Sequence, residues 1–409
     1  MNNELIKKLT RYYHEITPED VVGVSFGKKE TGGVLTDKDA VVFTVLKKKP
    51  LDEIPDQERI PSQIEFSGVT FDTDVEEGEI QFLESCPSDF YSWMTTPPSN
   101  RNTIRPLQGG ISSTNYTNLG SYVGTLGFLA VDNDTNSLVG VSNNHVLVYD
   151  AFQANELNPS GERSSIQNNF VTQPNESGNS GLQNAIGLVK KYVPLSGTSY
   201  YNSVDCALTT INESDIDYLT SYKQYGMTGW VTPLDFATTS EINNLLETKP
   251  NLFSSGRTTG PKGEGDMKLF AESISSVISI AYHKQGVSTT VYFEDCIKFY
   301  ASASTTPSGY VCTYPIAPGD SGSALVADFG GTRKIVGLVF AGSTSGGVTT
   351  RGYANRIDKV VEQMNISVWS GQTMNFSNTG STETYTVSGL SSDDTLNLSG
   401  NTYWQGGII

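Results

Sequence analysis

The chain has 409 residues and a formal net charge of −17, from 27 lysines and arginines against 44 aspartates and glutamates. Its length predicts two or three folded units. The acidic balance opposes binding to phosphate backbones or anionic lipid surfaces, so we expect neither nucleic acid nor membrane as a partner. The N-terminus lacks an apolar core of signal-peptide length, and no later segment is apolar enough to span a bilayer, which predicts a cytoplasmic protein.

Residues 1–85 have the pattern of a small α+β unit. Apolar residues between positions 4 and 16 recur at helical spacing and precede a turn-forming segment at 17–20. Two β-branched runs then flank a Gly-Gly turn, which predicts two connected strands. Residues 86–109 are rich in Pro, Ser and Asn without a sustained period, which indicates a linker or surface strap.

Residues 110–368 hold repeated strand-length apolar runs separated by Gly, Asn and Ser turns. This pattern favours closed or sandwiched antiparallel sheets, with a helix at Ile357–Met364 closing the domain. Residues 369–409 are polar but still alternate, so we expect a short β-rich C-terminal extension. The fold class predicted for the whole chain is mainly β.

The four cysteines form no CxxC pair and no Cys/His cluster with metal-ligand spacing. So few cysteines in a long chain do not make a disulfide framework. We therefore expect reduced thiols and no metal site. The cysteines are Cys86, Cys206, Cys296 and Cys312.

A serine lies between glycines immediately before an apolar strand, in the segment Gly-Asp-Ser-Gly-Ser at 319–323. A serine hydroxyl is a weak nucleophile at neutral pH, so acyl transfer needs a base, a group that orients the base, and donors for the oxyanion. A tight turn here can aim the N–H groups of Gly319 and Ser321 at one point, which predicts an oxyanion hole beside a Ser321 nucleophile. Taken alone, the segment fits a glycine-rich hairpin turn equally well.

Of three histidines, His145 falls at the end of an apolar strand, whereas His14 falls on the predicted N-terminal helix and His283 in a polar turn. We expect His14 and His283 to be packing or surface residues and His145 to be the general base. Asp205 leads into another apolar strand and is expected to be partly buried, where an imidazole N–H is a suitable partner. A turn or cap role for Asp205 remains the alternative.

The motifs NNHVL, VDCAL and GDSGSAL, in that order, resemble the His, Asp and Ser motifs of the trypsin-like (chymotrypsin-fold) serine peptidase superfamily. The resemblance covers about residues 110–368 and implies two antiparallel six-stranded β-barrels. The segment 255–260 resembles the strand that opens the second barrel, and 335–343 the strand that pairs with substrate. The resemblance is to the intracellular bacterial or phage type of this superfamily. Within residues 1–85, GVSFGKKETGG followed by DAVVFTVLKKKPLDEIP resembles the leader domain of bacterial and plant trypsin-like proteins of the narrow-leaf type.

This resemblance implies a serine endopeptidase that acts on a protein or peptide substrate through an acyl-enzyme, without a cofactor. Homo-oligomerisation is left open. Pro315 would form the floor of the specificity pocket, and Phe340, Ala341 and Gly342 would lie along the substrate strand and pocket wall. Because no carboxylate is placed there, we expect a neutral pocket for a small or medium apolar side chain. We expect the unit formed by residues 1–85 to control access to the site.

Two positions depart from the usual family pattern. Val146 replaces the cysteine after the histidine, and Ser323 replaces the second glycine after the serine. In many members of the superfamily, the acidic residue that corresponds to Asp320 binds a new N-terminus, which zymogen cleavage produces. No good cleavage motif precedes the domain, since Arg105 is followed by proline, so we expect Asp320 to bind an internal cation or amides.

Two other functions remain open. One is a catalytically idle scaffold of the same fold that mediates protein–protein assembly, which the complete set of three residue types disfavours. The other is an esterase with the same triad, although the chain lacks the GxSxG elbow of the α/β-hydrolases.

Overall fold

The structure of the chain, a computed structural model, is mainly β. The structure describes residues 3–32, 34–83, 101–116, 123–148, 170–174, 184–197, 200–216, 223–227, 234–263, 268–284, 287–302, 315–345, 348–369, 377–378 and 385–386.

An N-terminal unit combines one helix with five strands. Its elements are α1 (Asn3–Ile16), β1 (Val21–Thr31), β2 (Val34–Val45), β3 (Gln63–Phe66), β4 (Val69–Glu77) and β5 (Glu79–Phe82), with short 3-10 helices at Leu51–Glu53 and Asp56–Glu58. The predicted helix and the two connected strands are therefore present. The apolar face of α1, including Ile6 and Leu9, packs on Val24 and Phe43 of the β1–β2 hairpin.

The next part of the chain forms a closed barrel. Its elements are β6 (Ile111–Asn115), β7 (Gly124–Leu126), β8 (Phe128–Asp132), β9 (Ser137–Ser142), α2 (Asn144–Leu147), β10 (Phe170–Thr172), β11 (Ala185–Tyr192), β12 (Tyr201–Asn202) and β13 (Ala207–Thr210). Only Gly127 separates β7 from β8, so the two act as one strand. Antiparallel pairing then runs β6–β7/β8–β9–β13–β11–β10 and returns to β6, a ring of six strands.

The remaining described chain contains a second ring. Its elements are a 3-10 helix (Glu213–Asp215), β14 (Asp235–Phe236), α3 (Thr239–Asn243), α4 (Leu245–Thr248), β15 (Leu252–Gly256), β16 (Gly260–Lys262), β17 (Lys268–Lys284), β18 (Val287–Ser302), β19 (Ala324–Phe329), β20 (Thr332–Ser345), β21 (Val348–Arg356), α5 (Ile357–Met364), β22 (Ile366–Val368), β23 (Ser377–Asn378) and β24 (Tyr385–Thr386). Antiparallel pairing runs β15–β17–β18–β21–β20–β19 and returns to β15. The prediction of two six-stranded barrels is confirmed.

Three connections join these parts. The helix α5 has the predicted bounds, and β22 after it pairs with β8 of the first barrel. The strand β1 pairs with β17, which joins the N-terminal unit to the second barrel in one sheet. The strand β5 leaves its own unit and pairs with β20. A continuous apolar core therefore includes residues of both barrels, such as Val141 and Leu325, together with Leu83.

Two local expectations are corrected by the structure. His145 lies in the four-residue helix α2 and not at a strand end, because the chain turns after β9 through bonds from the N–H groups of Val146 and Leu147 to the Asn143 carbonyl. His283 lies in β17 and not in a turn, because the β17–β18 pairing continues as far as Lys284.

Two of the cysteines, Cys206 and Cys296, are buried free thiols, while Cys86 and Cys312 lie outside the described residues. None of the helices in the described ranges has the length and apolar character needed to cross a membrane.

Candidate active site

The strands β9 and β13 bring His145 and Asp205 together. The two strands are antiparallel neighbours, with Ser142 opposite Ala207, so residues just after β9 and just before β13 meet at one edge of the barrel. His145 Nδ1 is hydrogen-bonded to Asp205 Oδ2, and the His145 backbone N–H donates to Asp205 Oδ1 at 3.1 Å. Both side chains are fully buried. The carboxylate thus holds His145 by one contact to the ring and one to the backbone, and Nε2 is the ring nitrogen on the side away from Asp205.

Two asparagines fix the backbone of Asp205. The Asp205 N–H donates to Asn355 Oδ1 at 2.9 Å, and Asn143 Nδ2 donates to the Asp205 carbonyl at 2.7 Å. Because Asn355 lies on β21, the second barrel helps to orient a residue of the first. Neither positioning residue was predicted from the sequence, although the amide side chain of Asn143, two residues before His145, was a usable signal.

Ser321 lies in a tight turn immediately before β19. The turn needs glycine, since Gly319 and Gly322 have φ values of +99° and +93°. The Ser321 hydroxyl is buried and donates to the Phe340 carbonyl at 3.0 Å. Ser323, which departs from the family pattern, accepts a hydrogen bond from Ser254 Oγ at 3.1 Å. A serine is therefore accommodated at position 323 because its hydroxyl has a buried partner.

Gly124 lies where the histidine and serine segments meet. A Cβ at this position would lie 2.5 Å from Val146 Cγ1 and 2.9 Å from the Ser321 carbonyl oxygen. The Ser321 carbonyl also accepts the Thr125 N–H at 2.7 Å. The residue after His145 and the backbone of Ser321 are thus both in close contact with β7, which places the two segments beside each other across the barrel interface.

Asp320 is buried and binds backbone amides, which is one of the two roles expected for it. Its Oδ1 accepts the N–H groups of Thr258 at 2.7 Å and Thr259 at 3.0 Å, and its Oδ2 accepts that of Ala317 at 2.9 Å. Burial raises the pKa of Asp320, and these donors offset part of the rise. The acid therefore ties the serine turn to the loop after β15.

The cleft beside Ser321 is occupied by β5 of the same chain. Residues 79–82 pair antiparallel with 341–344 of β20, so that Phe82 is opposite Ala341 and Gln81 is opposite Gly342. Beyond β5, the Leu83 N–H donates to the Phe340 carbonyl at 3.4 Å, and the Leu83 carbonyl accepts the Gly319 N–H at 2.6 Å. One of the two predicted oxyanion donors therefore binds a peptide carbonyl.

The side chains at the end of β5 fill the space around these contacts. Leu83 is fully buried, and its Cδ2 lies 3.1 Å from where a Cβ on Gly342 would be. Phe82 packs on His145 with ring centroids 4.6 Å apart. Pro315 is also buried. The sequence carried no signal for the positions of Phe82 and Leu83, because a four-residue strand can pair with any free sheet edge.

Within the described ranges, no group of three or more His, Cys, Asp or Glu residues has a geometry that could hold a metal ion. No family model matches the sequence, and no curated protein matches it either.

Solved structures provide a comparison at the level of the fold. The chain is similar in fold to bacterial serine proteases. Thermobifida fusca protease A has 15% identity and a TM-score of 0.37, and the match covers 65% of this chain and 99% of that one. Nocardiopsis protease has 16% identity and a TM-score of 0.37, with 64% and 98% covered. Cellulomonas bogoriensis chymotrypsin has 14% identity and a TM-score of 0.36, with 64% and 97% covered. Any assignment of activity therefore rests on this chain's own geometry.

Proposed function

We propose that this chain is a serine endopeptidase in which Ser321 is the nucleophile, His145 the general base and Asp205 the carboxylate that orients it. The observation that supports this most directly is a peptide carbonyl, that of Leu83, hydrogen-bonded to the Gly319 N–H in the turn that carries Ser321. A main-chain carbonyl held there by a backbone donor is the arrangement that acyl transfer requires.

The proposed reaction begins when His145 Nε2 accepts the Ser321 proton as Oγ attacks the substrate carbonyl carbon. The N–H groups of Gly319 and Ser321 stabilise the resulting oxyanion. His145 then gives its proton to the leaving nitrogen, and water hydrolyses the ester in the second half of the cycle. Asp205 holds Nδ1 protonated, so that Nε2 is the nitrogen that exchanges the proton.

The proposed substrate is a protein or peptide that lies along β20. Its backbone would pair with Phe340, Ala341 and Gly342, and its side chain before the cleaved bond would enter an apolar pocket near Pro315. We assign this peptidase unit to residues 110–368, with residues 1–85 as a unit that controls access. Residues 86–109 are the connecting strap and 369–409 the C-terminal extension.

The test is labelling of intact protein by a fluorophosphonate–fluorophore probe, which reacts only with an activated serine. Because β5 fills the cleft, Leu83→Asp is included to open it by placing a charge in an apolar pocket. We expect labelling of the Leu83→Asp protein, and none when Ser321→Ala or His145→Ala is added. With a leucyl p-nitroanilide peptide as substrate, adding Ser321→Ala or His145→Ala should lower kcat on the order of 10⁶-fold relative to the Leu83→Asp protein. Equal labelling with and without Ser321 would contradict the assignment, as would a folded Leu83→Asp protein that never labels.

A further inference from the structure

We propose that the chain cleaves itself between Leu83 and Glu84, with β5 acting as a substrate strand that the protein supplies to its own Ser321. This inference rests on the proposed peptidase function and extends it to a specific bond and to a preference for leucine before that bond. It concerns the described residues up to Leu83; Glu84 is the next residue in the sequence.

The first support is the sheet edge on which β5 lies. Pairing of β19 with β20 ends at Leu338, and Val339 still bonds to the backbone of Gly322 and Ser323, so β20 is open to a further strand on that side only beyond Val339. The strand β5 covers this edge with four consecutive antiparallel pairs, from Glu79–Thr344 to Phe82–Ala341. Addition of an extended segment to a free sheet edge is a general mode of peptide binding, in which main-chain hydrogen bonds supply affinity.

The second support is the position of the Leu83 peptide group relative to Ser321. The Phe340 carbonyl accepts the Leu83 N–H at 3.4 Å and the Ser321 hydroxyl at 3.0 Å, so the amide and the nucleophile meet at one oxygen atom. The Leu83 carbonyl oxygen lies 2.6 Å from the Gly319 nitrogen. The carbonyl that follows β5 is therefore polarised by a backbone donor in the turn that carries the nucleophile.

The third support is the burial of the β5 side chains. Leu83 is fully buried next to Gly342, in the apolar surroundings expected of a specificity pocket. Phe82 lies against the His145 ring and also contacts Phe293 edge-on at 5.9 Å. Ile80 is 4% exposed and lies against Gly23 of β1. Three of the last four residues before the bond are thus fixed by packing, which holds the carbonyl in register.

The proposed step is an ordinary hydrolysis with water as co-reactant. Ser321 Oγ forms a bond to the Leu83 carbonyl carbon and passes its proton to His145. The bond from that carbon to the Glu84 nitrogen breaks, and His145 protonates the nitrogen. Water then gives its proton to His145 and its hydroxide to the ester carbon, and the proton returns to Ser321. The products are a chain that ends in a carboxylate at Leu83 and a chain that begins with an amine at Glu84.

The test follows purified full-length protein over time by intact mass measurement and N-terminal sequencing. We expect the wild type to convert to fragments 1–83 and 84–409, and Ser321→Ala to stay intact under the same conditions, which excludes a contaminating protease. Leu83→Asp should stay intact because a carboxylate does not fit the apolar pocket, whereas Leu83→Met should be cleaved within about tenfold of the wild-type rate. Circular dichroism checks that each variant is folded.

The half-time should not change when the protein is diluted, because the bond and the nucleophile belong to one chain. Cleavage of Ser321→Ala at the same bond, or a half-time that lengthens in proportion to dilution, would overturn the proposal. So would a wild-type chain that stays intact while Leu83→Asp is labelled by the fluorophosphonate probe, and in that case the peptidase function would stand. If the folded Leu83→Asp protein is not labelled and the wild type stays intact, both proposals fail.

Discussion

At the scale of single residues, close backbone approaches set the geometry of the candidate site. His145 lies in α2, Asp205 just before β13 and Ser321 in the turn before β19, and all three are fully buried. Gly124 is one of these close contacts, and a methyl group there would press on the segments that carry both His145 and Ser321. A core packed this closely transmits a small displacement to the reacting groups.

We predict that Gly124→Ala slows fluorophosphonate labelling of the Leu83→Asp protein about 10²-fold, the loss associated with a misplacement of about 1 Å. Adding Val146→Ala should recover part of the rate, because it removes the two methyl groups that lie 2.5 Å from the new Cβ. Val146→Ala without the glycine change is the matched control. Labelling of the Gly124→Ala protein at the unchanged rate would show that the two segments tolerate separation.

At the scale of elements, α1 contacts the second barrel through a buried histidine, His14. His14 Nδ1 is 3.0 Å from the Tyr201 hydroxyl, and the ring packs edge-on against Tyr292 of β18. Burial lowers the pKa of His14 to about 4, and the nearby Glu15 offsets only a small part of this shift. The histidine is therefore neutral in the folded protein over most of the acidic range.

This shift has a defined sign for stability. The unfolded chain binds a proton at His14 near pH 6.5, whereas the folded chain does so only near pH 4, so the contribution of His14 is present above pH 6.5 and is lost as the pH falls towards 4. We predict that wild type loses about 3 kcal/mol relative to His14→Gln across this window. Urea unfolding of both proteins at pH 7.5, 6, 5 and 4 measures the difference. Parallel pH profiles for the two proteins would contradict the prediction.

At the scale of the whole molecule, a buried charge cluster joins the N-terminal unit to the second barrel. Lys298 of β18 is fully buried, and its Nζ lies 2.7 Å from Glu76 of β4 and 3.3 Å from Glu272 of β17. Arg351 of β21 binds the other oxygen of Glu272 at 2.5 Å. Burial lowers the pKa of Lys298, but the two carboxylates outweigh it and the net pKa is raised. Lys298 is therefore charged, and its carboxylate partners compensate its burial.

We predict that Lys298→Met destabilises the protein by about 3–5 kcal/mol, because it leaves two largely buried carboxylates close together. The matched control is Lys28→Met, which removes an exposed lysine that lies 2.6 Å from Asp39 and should cost about 0–1 kcal/mol. Denaturant unfolding of both variants and the wild type gives the comparison. Equal losses would show that the buried cluster contributes no more than a surface ion pair.

The sequence alone predicted the mainly β fold, both barrels, the helix Ile357–Met364 and the three residues of the candidate triad. The periodicity of apolar residues predicted the mainly β fold and the helix, and the chemistry of rare groups, such as one histidine placed after an apolar run, pointed to the candidate triad, because both can be recognised locally. The two barrels were implied by the resemblance of the three motifs to the trypsin-like superfamily. The sequence also predicted an apolar pocket from the absence of a carboxylate near Pro315.

Only the tertiary structure decided what lies along residues 341–344 of β20. Residues 79–82 have the alternation of any short strand, and their pairing with 341–344 depends on backbone groups, which are the same for every residue type. The burial of Lys298 likewise depends on Glu76, which is 222 positions away in the chain. Local sequence determined the strands and the reactive groups, whereas long-range backbone pairing determined that the N-terminal unit, through Leu83, reaches the candidate nucleophile.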